Sequence, residues 1–130
     1  MRQGGPNEPP AFERVGHVQL SMPPAAEDDM RHFYGTVLGM TEIAKPPVLA
    51  RRGGAWFRSG RVEIHLGVER EFRPARKAHP AIQVGDVDAM ATRLASFGTD
   101  VEWDGTIPNV RRFHVRDPAG NRLEFLQPER

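Results

Sequence analysis

The sequence predicts an α+β fold in which two βαβββ modules form a curled mixed sheet around a cavity, with the helices outside. Three features support this prediction. Apolar and polar residues alternate in several short stretches, as in half-buried strands. A stripe of apolar residues at helical spacing follows the first strand of each half. The second half repeats the element order of the first, and neither unit alone can bury a sheet face.

The first module contains one strand, one helix and three further strands. Residues 15–20 alternate in polarity, which indicates a strand. The stretch 25–39 has apolar residues at helical spacing, acidic residues near its start and a glycine at its end, which predicts a helix. Short extended stretches at about 40–45 and 54–58, followed by a strand at 60–68, complete the module.

The second module has the same order of elements. Residues 79–84 alternate as a strand does. A helix is predicted from the cap residue Asp86 to the stop at Gly98, because the apolar residues between them recur at helical spacing. The sequence DPAGN is typical of a turn. Three further strands are predicted at residues 99–103, 111–115 and 122–127.

Corresponding residues of the two modules are separated by similar intervals. His79 follows His17 by 62 residues, and Glu124 follows His65 by 59 residues. Such matching intervals indicate an internal duplication.

The predicted domain organisation is a flexible N-terminal tail and one domain. The tail, residues 1–11, is rich in proline, glycine and polar residues. The domain, residues 12–130, contains module 1 at about 12–70 and module 2 at about 76–128. We interpret the basic linker between the modules, EFRPARKA, as a solvated connection in preference to a subsite for an anionic substrate.

The composition excludes several functional classes. Lys and Arg total 18 against 17 Asp and Glu, so charge gives no reason to expect nucleic acid or membrane as a partner. The chain has no cysteine, which excludes disulfides, thiolate metal sites and a cysteine nucleophile. It has no apolar run long enough to span a bilayer and no signal-peptide pattern at its start, so we expect a cytoplasmic protein.

Strand parity places three imidazoles and one carboxylate on inward-facing positions. The apolar residues of four strands face the helices, so the alternate residues face the cavity. These inward residues are His17, His65, His79 and Glu124. A single inward histidine is more often a hydrogen-bonded core residue than a ligand. The prediction of a site for Zn, Fe, Ni, Mn or Co therefore rests on the occurrence of all four residues at matching positions of a repeat.

Several other inward residues are candidates for secondary roles. His114 lies opposite in parity to its apolar neighbours, and it either lines the pocket or moves a proton. Glu63 could orient His65 or lie in water. Two groups complete the set: Gln19, Gln83, Arg112 and Arg122 could orient oxygens, and Trp56 and Trp103 could be pocket walls or core.

The order of motifs GHVQL, FYGTVLGM, HPAIQV and DPAGNRLEF resembles the vicinal oxygen chelate superfamily, which is the glyoxalase/bleomycin resistance/dioxygenase family. The resemblance covers about residues 12–128, and its most specific part is RDPAGNRLEF. It implies that His17, His79 and Glu124 bind metal. His65 falls where glyoxalase I enzymes carry a fourth ligand, usually Glu or Gln, so a histidine there departs from the family and could ligate, act as a base or only form a hydrogen bond.

The resemblance implies a metal-dependent, glyoxalase-like enzyme of the lyase or isomerase class. One divalent metal per site would chelate neighbouring oxygens of a small substrate and stabilise an enolate or alkoxide. The candidates for the catalytic base are His65, Glu124 and His114. The implied activity is similar to that of lactoylglutathione lyases, although the chain offers no obvious glutathione clamp.

Other activities of the superfamily remain open at this point. An antibiotic-resistance thiol transferase would share the metal residues, but the loop DGTIPNV lacks the Ser/Gly-rich loop of those enzymes. A drug-binding protein of the bleomycin type lacks the metal residues that this chain retains. A single-domain extradiol-type dioxygenase would share them, although such enzymes usually carry two such domains.

The resemblance also implies a homodimer. In many relatives the modules of one chain pair with those of a second chain. By this analogy, His17 and His65 of one chain meet His79 and Glu124 of the other.

Overall fold

The computed structural model describes residues 5–129, and it confirms the predicted α+β architecture. The elements of the first module are β1 (Val18–Met22), α1 (Glu27–Arg31), β2 (Thr41–Ile43), α2 (Pro47–Ala50), β3 (Ala55–Ser59) and β4 (Val62–Val68). Those of the second are β5 (Ala81–Gln83), α3 (Val87–Ser96), β6 (Glu102–Asp104), β7 (Val110–Arg116) and β8 (Arg122–Pro128).

The strands form two mixed four-stranded sheets that are curled but not closed. The first sheet has the order β1-β4-β3-β2 and the second has the order β5-β8-β7-β6. In each sheet the first strand of the module pairs in parallel with the last strand, while the remaining neighbours pair antiparallel. The repeated topology is the structural counterpart of the repeated sequence.

The two predicted helices are present, and the structure adds two helical features that were not predicted. Asp86 caps α3, since its side chain accepts a hydrogen bond from the backbone N–H of Ala89 at 2.9 Å. The first helix is composite: a 3-10 turn, Pro24–Ala26, precedes α1, and a π-helical segment, His32–Val37, follows it. The short helix α2 was not predicted; it lies in the loop between the two extended stretches, with proline at its start, where the missing N–H has no helical partner.

An apolar core joins the helices to the sheets and contains residues of both modules. Its largest fully buried side chains include Tyr34, Phe57 and Phe113. Because these side chains come from both halves, the modules share a core. The division into a tail, residues 1–11, and a domain, residues 12–130, remains a prediction, and residues 1–4 and 130 lie outside the described residues.

The N-terminal segment before β1 has no regular structure between residues 5 and 17, and Phe12 on it is 98% exposed. In the same described part of the chain, no helix has the length and apolar character needed to cross a bilayer.

Replacing Gly54 by alanine is expected to cost more than about 3 kcal/mol of unfolding free energy, because a clash adds to backbone strain. Gly54 has φ +85°, and a Cβ there would lie 2.0 Å from the carbonyl oxygen of Leu66. Gly60 is the matched control, since it also has positive φ, at +56°, but its Cβ would enter open space. Gly60→Ala should cost only about 1–2 kcal/mol. Urea unfolding of both variants measures the difference, and equal losses would contradict the clash.

Candidate metal centre

The second sheet brings three ligand-capable side chains to one face. His114 on β7 and Glu124 on β8 are direct cross-strand partners, so their side chains lie on the same face. Glu124 is also the register partner of Ala81 on β5, and His79 lies two residues before Ala81 with the same parity. The duplicated topology therefore delivers His79, His114 and Glu124 to one place.

These three residues form a tight cluster around one carboxylate oxygen. Oε1 of Glu124 lies 2.9 Å from Nε2 of His79 and 3.2 Å from Nε2 of His114. Across residues 5–129, this is the only group of three or more histidine or acidic side chains whose ligand atoms all lie within 4.8 Å of one another. His114 and Glu124 are buried and His79 is half-buried, so His79 is the most exposed member of the cluster.

The hydrogen bond between His79 and the Lys77 carbonyl determines which ring nitrogen of His79 faces Glu124. Nδ1 of His79 lies 2.7 Å from the carbonyl oxygen of Lys77, which can only accept, so Nδ1 carries a proton. Nε2 of His79 then donates to Oε1 of Glu124 when the ring is protonated, and faces it with a lone pair when the ring is neutral. Nε2 of His114 is buried and has no hydrogen-bond partner among residues 5–129, although it lies close to the same oxygen. A proton or a cation between these atoms would relieve the repulsion.

The electrostatics of the cluster favour an ionised carboxylate and a neutral imidazole. Burial alone would raise the pKa of Glu124, but the hydrogen bond with His79 and the positive charge of Arg112 hold this pKa below its ordinary value. Burial lowers the pKa of His114, and the positive charge of Arg122 lowers it further. A neutral His114 keeps a lone pair available as a ligand or a base.

Arg112 holds the carboxylate of Glu124 in place through a hydrogen bond. Nη1 of Arg112 donates to Oε1 of Glu124 at 3.2 Å, while Nη2 donates to Oδ2 of Asp104 at 2.9 Å and to Oγ1 of Thr106 at 3.1 Å. The inward parity of Arg112 was visible in the sequence. The contribution of Asp104 was missed, and it could have been found only from its register with Arg112 across β6 and β7.

The first sheet carries a second cluster at the corresponding positions. The ring of His65 stacks between Trp56 and His17, with centroid distances of 3.9 Å and 4.0 Å. Trp56 is the cross-strand partner of His65, as His114 is of Glu124. His17 is exposed, whereas His65 is buried.

A hydrogen bond with Glu63 fixes the ring of His65, which lies outside the His79 group. Its Nε2 lies 2.6 Å from Oε2 of Glu63, and Oε1 of Glu63 accepts from Arg58 at 2.9 Å. The hydrogen bond with His65, followed by that with Arg58, lowers the pKa of Glu63. Glu63 therefore acts as the orienting partner of His65, which was one of the two roles considered for it.

The predicted site residues are thus divided between two clusters. His79 and Glu124 meet, and His114 joins them. His17 and His65 contact each other on the first sheet and are not members of the His79 group. Trp56 lies in the second cluster, whereas Trp103 packs against Phe113 and under the guanidinium of Arg111, outside both clusters.

The donor set of the first cluster fits a divalent metal ion. Two imidazole nitrogens and one carboxylate oxygen are ligands that first-row divalent metals accept. Nε2 of His114 and Nε2 of His79 lie next to the same carboxylate oxygen, an arrangement that a cation stabilises. The contact of His79 with the Lys77 carbonyl is the outer-shell contact that typically orients a metal-bound histidine.

Comparison with known families and structures gives a consistent result. Residues 14–125 match the family model described as the glyoxalase/bleomycin resistance protein/dioxygenase superfamily. In the comparison with curated proteins, no match was found.

The solved structures include a similar chain from Bacillus anthracis, described as a glyoxalase family protein, with 43% identity and a TM-score of 0.90; the match covers 94% of this chain and 100% of that one. A lactoylglutathione lyase from Agrobacterium tumefaciens has 24% identity and a TM-score of 0.69 over 92% of this chain and 96% of that one. TnmS3, an antibiotic binding protein from Streptomyces sp. CB03234, has 23% identity and a TM-score of 0.68 over 91% of this chain and 100% of its own. The last two similarities establish the fold alone.

Proposed function

This chain belongs to the glyoxalase/bleomycin resistance protein/dioxygenase superfamily, and we propose that it is a metal-dependent, glyoxalase-like enzyme of the lyase or isomerase class. Its substrate is a small molecule with neighbouring oxygens. The observation that carries the proposal is the convergence of two imidazole nitrogens on one buried carboxylate oxygen, at His79, His114 and Glu124.

His79 and Glu124 hold the metal in this proposal, with His114 in reach as a further ligand or as the base. When bound, a Zn, Fe, Ni, Mn or Co ion would act as a Lewis acid on the chelated oxygens. Arg112 orients Glu124, and Lys77 orients His79 through its carbonyl. Burial lowers the pKa of His114, which favours the neutral imidazole that would accept a proton from substrate.

A second copy of the chain completes the site in this proposal. His17 and His65 occupy the module positions that correspond to His79 and Glu124, yet they lie outside the His79 group in the single chain. In a homodimer, the exposed His17 and the oriented His65 of one chain would meet the cluster of the other, giving two sites. His65 then ligates or acts as a base, with Glu63 holding its ring.

Metal content is the direct test of the proposed function. We expect elemental mass spectrometry of the purified protein to find about one metal ion per chain. Zinc, nickel or cobalt would agree with a glyoxalase-like activity. Iron would favour a ring-cleaving dioxygenase instead. No metal after incubation with each divalent ion would reject the proposal and favour a small-molecule binding protein, the class to which TnmS3 belongs by description.

Mixing two variants tests whether the site is shared between chains. His17→Ala and Glu124→Ala are each expected to lose metal. If each site takes His17 from one chain and Glu124 from the other, an equal mixture after subunit exchange restores about a quarter of the wild-type metal, because half of the dimers are mixed and each has one intact site. Two results would place the centre within one chain. Either the His17→Ala variant retains its metal without mixing, or the mixture recovers no metal.

A further inference from the structure

An arginine pair lies beside the proposed metal centre. Arg116 on β7 and Arg122 on β8 are direct cross-strand partners, so both side chains share the face of His114 and Glu124. Like charges directly opposite each other destabilise a sheet. Within residues 5–129, neither guanidinium forms an ion pair with a carboxylate.

The hydrogen bonds of Arg122 place it next to the cluster and leave most of its donors free. Its Nη1 donates to the Lys77 carbonyl at 3.3 Å, the same oxygen that orients His79. The charge of Arg122 also contributes to the lowered pKa of His114. Four of its five N–H groups have no acceptor in the described part of the chain. Arg116 donates to the carbonyls of Gly120 and Arg76, which fixes it beside Arg122.

A cavity next to the cluster is lined by His114, but not by His79 or Glu124, and it reaches this pair. Its volume is about 350 Å³, and its lining includes His114, Arg116 and Arg122. Arg122 and Glu124 are two residues apart on one strand, so their Cα atoms are about 7 Å apart. A molecule whose oxygens lie at the metal centre can therefore reach the arginines with another part of its structure.

We propose that Arg116 and Arg122 form a subsite for a carboxylate of the substrate, so that the substrate is a small organic acid whose charged end is separated from its chelated oxygens. The planar guanidinium matches a carboxylate in shape and charge. Asp100 and Glu102 also line the cavity, and their charges oppose a dianion such as phosphate more than a monoanion. This inference rests on the proposed function, because it assigns the substrate of the same site.

A matched pair of chelators tests the subsite on Zn²⁺-loaded protein. 3,4-Dihydroxybenzoate and 3,4-dihydroxybenzamide have the same vicinal oxygens and nearly the same shape, and they differ in the charge of one group. Isothermal titration calorimetry should show that the benzoate binds at least about tenfold more tightly, as expected for a charge-assisted contact. Arg122→Gln should remove this preference, and continued binding of the benzamide by the variant would report an intact fold.

Two further variants separate the subsite from a general effect of charge. Arg111→Gln makes the same change of charge on the other face of β7, where Arg111 pairs with Asp88, and it should keep the preference. Arg122→Lys should retain part of it, since the charge remains and the planar fork is lost. Equal binding of both chelators by the wild type would overturn the carboxylate subsite while leaving chelation intact. Binding of neither chelator would reject the proposed function and this inference with it.

Discussion

Replacing Glu124 by alanine is expected to weaken metal binding by more than about 100-fold, a larger effect than the loss of an outer-shell partner. Oε1 of Glu124 is the atom on which His79, His114 and Arg112 all converge. Its removal takes away the anionic ligand and leaves the Arg112 charge next to the centre, where it repels a cation. Titration of the metal-free protein with Zn²⁺, followed calorimetrically, measures the affinity.

Two variants make the interpretation of this result specific. Glu124→Gln keeps the shape and one oxygen but removes the charge, so its affinity should lie between those of the wild type and the alanine variant. Asp88→Ala removes an exposed acidic side chain on α3, and it should bind Zn²⁺ as the wild type does. Unchanged affinity in Glu124→Ala would mean that the metal is held elsewhere.

The faces of the strands could be predicted from the sequence because strand geometry leaves little freedom. Once Leu123 and Phe125 are assigned to the core, Glu124 must point the other way, and the structure buries both apolar residues at 2% exposure or less. The same reasoning sets His65 apart from the buried Ile64 and Leu66 on either side of it. The repeat then identified the corresponding strands of the two modules.

The grouping of the residues could not be predicted in the same way. Parity assigns a face, but it does not say which residue lies opposite which, and the pairing of His114 with Glu124 depends on register. For the same reason, the sequence did not reveal that Trp56 covers His65 or that Asp104 supports Arg112. The contact of Trp103 with Arg111 could not be predicted either, because Trp103 lies on β6 and Arg111 lies on the neighbouring strand β7.

The turn DPAGN stabilises the position of β8 through a buried hydrogen-bond network. The sequence predicted the turn but not this network. Oδ2 of Asp117 accepts hydrogen bonds from the hydroxyl of Tyr34 at 2.8 Å and from Nδ2 of Asn121 at 2.9 Å. Oδ1 accepts from the backbone N–H groups of Ala119 and Asn121, both at 2.9 Å. Nδ2 of Asn121 also donates to the carbonyl of Ser21, so the network joins the turn before Glu124 to the first module.

Replacing Asp117 by alanine is therefore expected to cost about 3–5 kcal/mol of unfolding free energy, because four donors lose their acceptor in a buried place. Tyr34→Phe removes only one of these hydrogen bonds and should cost about 1 kcal/mol. Asp117→Asn is a sharper control than alanine, since its amide would place an N–H against donors and should not restore stability. Guanidinium unfolding of the three variants measures these differences.

The cost of Asp117→Ala should also depend on pH, with a sign that follows from burial. Burial raises the pKa of Asp117 more than its hydrogen bonds lower it. The folded protein therefore binds a proton at this position more readily than the unfolded chain, whose pKa is about 3.9. The stability contributed by Asp117 is complete below the unfolded pKa and decreases as pH rises through the raised folded pKa. The loss of unfolding free energy in Asp117→Ala should accordingly be larger near pH 4 than at pH 7, and a loss that grows with pH would show that the hydrogen bonds, not burial, control this carboxyl.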